Sequence, residues 1–342
     1  MTKSLTKRRE ALLRIIVGEY IGTAQPVASD TIFRNYDLGV SPATIRNDMA
    51  HLEAEGYVIR PHASAGAVPL DKAYRYYVES LAEGVELPED EQSRIKHLFG
   101  EVEELERWLK LAATLVARLV KNAALVTFPK ARQSRFKHLE LVTVHEFLAL
   151  FILVLSDTVL RRHLLQFNEP ITQEQLTELA NKLNFTYAGL SRRQIASKKL
   201  ELSPEEEYVT GAIQDIMIAE DDAKYDESYL EGLRFMLGQP EFGHRERMLS
   251  VMELMEARGW LDQVSTSRIS GGRVSVIIGR ENPDHAFREL SLVLGGYGVP
   301  ERARGTIAVV GPTRMDYGRA ISSVSYMSEL LSDLVAGVYG DE

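Results

Sequence analysis

The stretch Ser41-Pro42-Ala43-Thr44-Ile45-Arg46-Asn47-Asp48-Met49-Ala50-His51-Leu52-Glu53-Ala54-Glu55-Gly56 decides how the amino-terminal part of this chain is read. Ser41 is an N-cap residue, Pro42 stands at the first helical position and Gly56 marks a stop, so the helix between them is punctuated at both ends. Ile45, Met49 and Leu52 fall on one face, whereas Ala43, Thr44, Asn47, Ala50 and His51 point away and Arg46 lies on the flank. Small and hydrogen-bonding side chains on an outer helix face suit a DNA major groove, where bulk prevents approach, Asn can pair with adenine and Arg with guanine. The same spacing also fits a plain helical hairpin with a solvated face.

Two helices precede this one. Leu5, Leu12, Leu13, Ile15, Ile16, Tyr20 and Ile21 recur at helical spacing up to Gly22, with Lys7, Arg8, Arg9 and Arg14 off that face, and a shorter helix fits Ser29 to Tyr36. After Gly56, Tyr57 to Ile59 reads as a strand, and Pro61, Gly66 and Pro69 break the next residues into a loop with a short return. Three helices, a strand and a loop are the plan of a winged helix-turn-helix. Lys7, Arg8 and Arg9 either track phosphates or face solvent. The loop from Pro61 to Gly66 is either a wing, with Gly66 allowing a tight tip, or a simple hairpin connection. The tyrosines at 74, 76 and 77 read better as packing between winged helix and linker than as base-stacking rings.

Beyond residue 80 the pattern changes. A linker covers Glu83 to Asp90, and one long helix is expected from Ile95 to Leu119. Strand-length runs come next at 123–128, 139–144, 147–155 and 159–167; the third is apolar at nearly every position, which predicts a strand covered on both faces. A helix is expected at 172–184, helical patterns at 205–258 broken by Gly238, Pro240 and Gly243, strands at 273–279, 289–294 and 305–310, and a closing helix at 315–338. Sheet elements on either side of a helical, acidic middle predict one α+β domain with another inserted into it.

Composition narrows the function classes. The chain has 342 residues, 45% of them hydrophobic and 26% charged, with a net charge of -9, but that charge is uneven. Residues 1–80 hold ten Lys/Arg against nine Asp/Glu, whereas Glu201 to Glu231 holds eleven acidic residues and one Lys, so the local field at the head still permits DNA docking. With no Cys there is no disulfide framework and no thiolate chemistry. The longest apolar run, Phe147 to Leu155, is far below the roughly 18 residues of a membrane span, and Arg14 and Glu19 interrupt any signal-peptide core, so a cytoplasmic protein without membrane attachment is expected. The eight His residues show no metal-ligand spacing, and the chain lacks a Gly-rich phosphate loop, a Gly-x-Ser-x-Gly elbow and a Walker lysine. Glu205 to Glu207 form a charge run. No enzyme, cofactor or metal is expected.

Two blocks of residues carry a family resemblance. Ser41 to Ala50, Leu52-Glu53, Gly56-Tyr57, Pro61-His62, Ser64-Ala65-Gly66, Pro69 and Tyr74 to Val78 form the first; Ile278-Gly279, Glu281-Asn282 and Gly311 to Tyr317 form the second. Together they resemble the signature of the HrcA family of bacterial heat-inducible transcription repressors. The resemblance implies an α+β multidomain chain: a winged helix-turn-helix at 1–82, a GAF-like α/β domain from 90–167 and 263–342, and a dimerisation domain inserted at 168–262. It further implies a homodimer that binds double-stranded DNA at the CIRCE inverted repeat ahead of chaperone operons, with activity dependent on the GroEL chaperonin. The residues expected at DNA are Ser41, Thr44, Arg46, Asn47 and His51 from the helix, and Arg60, His62, Ser64 and Gly66 from the wing. Ser41 and Pro42 chiefly start the helix, and Arg46 has an alternative as the ion-pair partner of Glu53 or Asp48.

The wing departs from the family pattern. Ala67 stands where an arginine is usual, Leu70 where a small hydroxyl residue is usual, and Ala73 where Gly is usual. The missing arginine removes a phosphate or minor-groove cation, which Arg60, His62 or Arg75 could replace. Arg314 either holds an anion or ligand in the GAF-like cavity or, the favoured reading, fixes a strand-to-helix turn with Asp316; Glu281 and Asn282 are read likewise. Two rival functions remain: a metabolite-responsive winged-helix regulator with a small effector in the GAF-like domain, and a scaffold or chaperonin client whose wing no longer binds DNA.

Overall fold

A computed structural model describes residues 5–62, 65–81, 85–129, 134–155, 160–222, 228–257, 274–299 and 303–339. The chain divides into two compact units, the first made of residues 1–128, 227–297 and 305–334, the second of 129–226, 298–304 and 335–342.

The first unit opens with three helices, α1 (Lys7–Thr23), α2 (Ser29–Asn35) and α3 (Pro42–Ala54), followed by strands β1 (Val58–Ile59) and β2 (Val68–Pro69) and by α4 (Asp71–Ser80). The two strands pair antiparallel, with Val58 opposite Pro69, so this part is the expected winged helix-turn-helix. Leu12, Leu13, Ile16 and Val17 of α1, Ile32 of α2 and Ile45, Met49 and Leu52 of α3 are buried in it. Next come α5 (Glu89–Gly100) and α6 (Leu105–Val120), two helices where the sequence pattern predicts one. The chain breaks after Gly100, and the Trp108 Nε1 donates to the Val102 carbonyl in the break at 2.6 Å, which satisfies a buried indole. Strand β3 (Ala123–Thr127) comes after α6.

The second unit holds β4 (Phe136–His145), β5 (Leu148–Leu155), β6 (Leu160–Gln166) and helices α7 (Gln173–Tyr187), α8 (Arg192–Ser197) and α9 (Pro204–Asp222). The strands form a three-stranded antiparallel sheet in the order β4-β5-β6. Ala149, Phe151, Leu153 and Leu155 of β5 are buried with Leu176, Leu183 and Tyr187 of α7 and Val209, Ile213 and Met217 of α9. The alternate residues of β5 are only half-buried, so this strand is covered on one face, not two.

The chain then continues with β7 (Ser228–Glu231), α10 (Leu233–Leu237), a turn at Pro240–Phe242, α11 (Arg245–Glu256), β8 (Ser275–Ile278), β9 (Leu290–Val299), β10 (Ala303–Pro312) and α12 (Tyr317–Tyr339), which lie in the first unit except for residues 298–304 and those from 335 on. A five-stranded sheet runs in the order β7-β3-β10-β9-β8. Met236, Phe242, Val251 and Met255 bury against one face of it. On β9, Gly295 admits α12: an added Cβ would lie 2.5 Å from Ser328 Oγ and 2.6 Å from Val324 Cγ1.

The strand pairings cross the sequence-based grouping of the elements. Strands 136–166 pair among themselves and not with the larger sheet, while β7, in the acidic stretch read as helical, pairs with β3 through Val126 opposite Tyr229. Hydrogen-bond pairing over a hundred residues apart, which no local pattern carries, made the difference. No helix among the described residues is long and apolar enough to cross a membrane.

Candidate DNA-binding surface

The start of α3 is built as its sequence demands. Ser41 is extended (φ -70, ψ 157), Pro42 occupies the first turn, and the Thr44 N–H donates to Ser41 Oγ at 3.3 Å. The hydroxyls of Ser41 and Thr44 also lie 3.0 Å apart, so both are engaged in capping the helix. Ser41, Ala43, Arg46, Asn47 and His51 are exposed, while Thr44 and Ala50 are half-buried. Opposite them lie Ile45, Met49 and Leu52, and among these apolar residues stands Asp48, only 2% exposed.

Asp48 is the residue whose role the sequence reading missed. Arg8 Nε donates to its Oδ2 at 2.6 Å and Arg9 Nε to its Oδ1 at 3.1 Å. Burial pushes this carboxyl up, but the hydrogen bonds and charges of the two arginines outweigh it and hold it below the usual carboxylate range. Arg8 and Arg9 are thus tied to the recognition helix, Arg9 largely covered and Arg8 with its side chain still 45% exposed. The pattern of a lone acid on an apolar face was visible, since a charge at a buried position calls for a partner.

The same pairing decides Arg46 and Arg60. Arg60 donates from its backbone N–H to Glu53 Oε1 at 3.0 Å and from Nε to Glu53 Oε2 at 2.8 Å. Those hydrogen bonds hold Glu53 below its ordinary range. Arg60 therefore ties the wing strand to α3, and with both acids taken, Arg46 has neither of its expected partners. Its ion pair is a loose one to Asp30 at 3.7 Å, both side chains 64% exposed. Asn47 and His51 carry no side-chain hydrogen bond among the described residues.

In the wing, His62 is exposed and Ser64 lies outside the described residues. Gly66 does not form a tight tip; an added Cβ there would sit 2.5 Å from the Pro26 carbonyl carbon, so the glycine admits the backbone between α1 and α2. Ala67 and Val27 exchange backbone hydrogen bonds at 2.9 and 2.8 Å, and Ala67 is fully buried. Position 67 thus belongs to the base of the wing, and its side chain is not on the DNA-facing surface.

The remaining residues singled out in the sequence are structural. Tyr57 and Tyr76 meet edge to face with ring centres 6.2 Å apart, and buried Tyr74 lies 6.0 Å from Tyr317. Arg75 donates from Nε to Glu281 Oε1 at 2.8 Å and from Nη2 to the Val276 carbonyl at 2.8 Å, which leaves it no role as a substitute wing cation. Arg314 donates to Glu241 Oε1 at 2.6 Å and to the Ile21 carbonyl at 2.7 Å. Asp316 caps α12, accepting from the Arg319 N–H at 3.0 Å. The Asn282 amide donates to the carbonyls of Gly279, Phe287 and Leu290. Among the described residues no group of His, Asp and Glu is placed to hold a metal ion.

Residues 36–69 match the model of the DeoR-like helix-turn-helix domain, and residues 106–321 match that of the HrcA protein C terminal domain. The chain is 43% identical to the heat-inducible transcription repressor HrcA of Dehalococcoides mccartyi over 98% of this chain and 97% of that one. It is 38% identical to the repressor of the same name from Roseiflexus castenholzii over 100% and 98% of the two chains. A crystal structure of a hypothetical protein shares the fold at a TM-score of 0.61, with 23% identity over 98% of this chain and 99% of that one.

Proposed function

The chain belongs to the HrcA family of heat-inducible transcription repressors and carries an amino-terminal helix-turn-helix DNA-binding domain; from that premise we propose that it works in the cytoplasm as a homodimer on a CIRCE-type inverted repeat ahead of chaperone operons, with GroEL favouring its DNA-competent form. The observation that carries the reading is the outer face of α3, where Ala43, Arg46, Asn47 and His51 are exposed while every acid near Arg46 on the same helix is neutralised from within. Small residues let the helix enter a major groove, and Arg46 and Asn47 supply the base or phosphate contacts. Two such helices, related by a protein two-fold, match the two halves of an inverted repeat. Bound there, the dimer blocks polymerase.

The three-part organisation of winged helix, larger sheet and insertion is retained, with the insertion taken as 129–226, and its sheet is where we place the dimer contact. The half-covered face of β5 forms cross-strand rows with its neighbours: Val142, Leu150 and Leu164 in one, His138, Val154 and Leu160 in another. Between them lies the row Glu140, Ile152 and Arg162. A two-fold axis along β5 sets Glu140 of each copy over Arg162 of the other, which makes this face complementary to itself. The rival effector site near Arg314 has nothing in its favour, because that guanidinium is already satisfied by Glu241 and the Ile21 carbonyl.

Fluorescence anisotropy over a salt series, with the inverted repeat and a scrambled duplex of equal length, tests the operator reading. Binding of the repeat orders of magnitude tighter supports it, and equal binding in the presence of GroEL sinks it. The chaperonin step fails if added GroEL leaves the operator-competent fraction unchanged after heating.

A further inference from the structure

The second block of the family signature, Ile278 to Asn282 and Gly311 to Tyr317, holds none of the residues expected at DNA, yet in the fold it lies against the winged helix. Asp71, at the first turn of α4, accepts from the Arg280 backbone N–H at 2.9 Å. Gly279 makes room for it: its φ is +49, and an added Cβ would lie 2.6 Å from the Asp71 carboxylate. One helical turn on, Arg75 is paired with Glu281 and the Val276 carbonyl. On a different helix, the Ile21 carbonyl stands in the last turn of α1, where the helix ladder runs out of donors, and Arg314, only 13% exposed, fills that role while bound to Glu241. Between these ties Tyr74 packs near Tyr317, whose hydroxyl donates to the Thr313 carbonyl at 2.7 Å.

We infer that Asp71, Arg75 and Arg314, with Gly279, Glu241 and Glu281, form a clasp that fixes the winged helix on the five-stranded sheet and thereby sets the half-site spacing the dimer accepts. The inference rests on the operator reading and names the residues that give it spacing discrimination. These are positioning residues, none of them a DNA contact. Ties to two different helices remove rotation as well as translation, which one attachment point would leave free. Discrimination comes from helical geometry: changing the spacer of an inverted repeat by two base pairs moves one half-site about 7 Å and turns it about 70° relative to the other. A winged helix on a loose tether adjusts to such a change, and a clasped one does not.

The test compares the full chain with the double variant Arg75→Gln/Arg314→Gln and with the charge-retaining Arg75→Lys/Arg314→Lys. Anisotropy titrations use the inverted repeat, the same repeat with its spacer lengthened or shortened by two base pairs, and a single half-site. We expect the unaltered protein to prefer the natural spacer by about tenfold or more, the Gln variant to lose most of that preference with half-site affinity kept within about twofold, and the Lys variant to fall between. The clasp is overturned if the Gln variant keeps the full preference, if its half-site affinity falls in step with its affinity for the repeat, or if the unaltered protein accepts all spacers alike. Loss of the operator reading has a different signature, since the unaltered protein would then bind the repeat no tighter than scrambled DNA, and the clasp would fall with it.

Discussion

Asp48 sits among the apolar residues of α3 with Arg8 and Arg9 of α1 hydrogen-bonded to it, so the recognition helix is oriented by a charge cluster that a sequence pattern alone assigns to solvent or DNA. Asp48→Asn leaves those donors without their anion and is expected to lower stability by about 2 kcal/mol, a value held down because Arg8 is half exposed. Since the folded carboxyl titrates below its unfolded value of about 4, the contribution is complete above that pH and disappears as pH falls through the lower folded value. The gap between Asp48→Asn and the unaltered chain in urea unfolding is therefore expected to be full at pH 7 and to narrow below about pH 4. An equal gap at both ends of the range refutes the pairing. Gly66→Ala tests packing in the wing. Its Cβ has only the backbone of Pro26 and Val27 to displace, and a loss of about 2 kcal/mol is expected in thermal melting.

At the scale of the element, α3 and the wing hold arginines that look alike in sequence and differ in what surrounds them. Arg46→Ala is expected to weaken operator binding and lower the salt slope by about one, as for a lost phosphate contact. Arg60→Ala breaks the tie to Glu53, so it is expected to lower the melting temperature and leave the salt slope unchanged. Identical slopes for the two variants would show that the pairing of Arg60 does not persist on DNA. The helix itself was legible because its signals are local: Ser41 and Pro42 at the start, and apolar residues three and four apart along it. The break between α5 and α6 was not, since apolar spacing continues across it and the turn is fixed by one indole reaching the Val102 carbonyl.

For the whole molecule, the half-covered sheet face yields the prediction that Leu164→Glu, at a side chain 61% exposed, leaves the fold intact by circular dichroism but shifts sedimentation from dimer to monomer. A dimer that survives the change places the contact elsewhere. The clasp belongs to this scale too, and it explains why two signature blocks some 200 residues apart occur in one chain: Arg75 and Glu281 are separated by 206 positions and share one ion pair. Sequence alone determined the three amino-terminal helices and the strand after them, the outward face of the third helix and the mixture of sheet and helix, because caps, turn residues and period-three or period-two patterns act over a few residues; the family resemblance rested instead on two blocks of matching residues. Only the tertiary structure decided which arginines are free, that position 67 is buried, that β4 to β6 form a separate sheet and that β7 joins the larger one. Those outcomes depend on pairing between distant residues, where each partner is compatible with several others until packing brings one of them within hydrogen-bond distance.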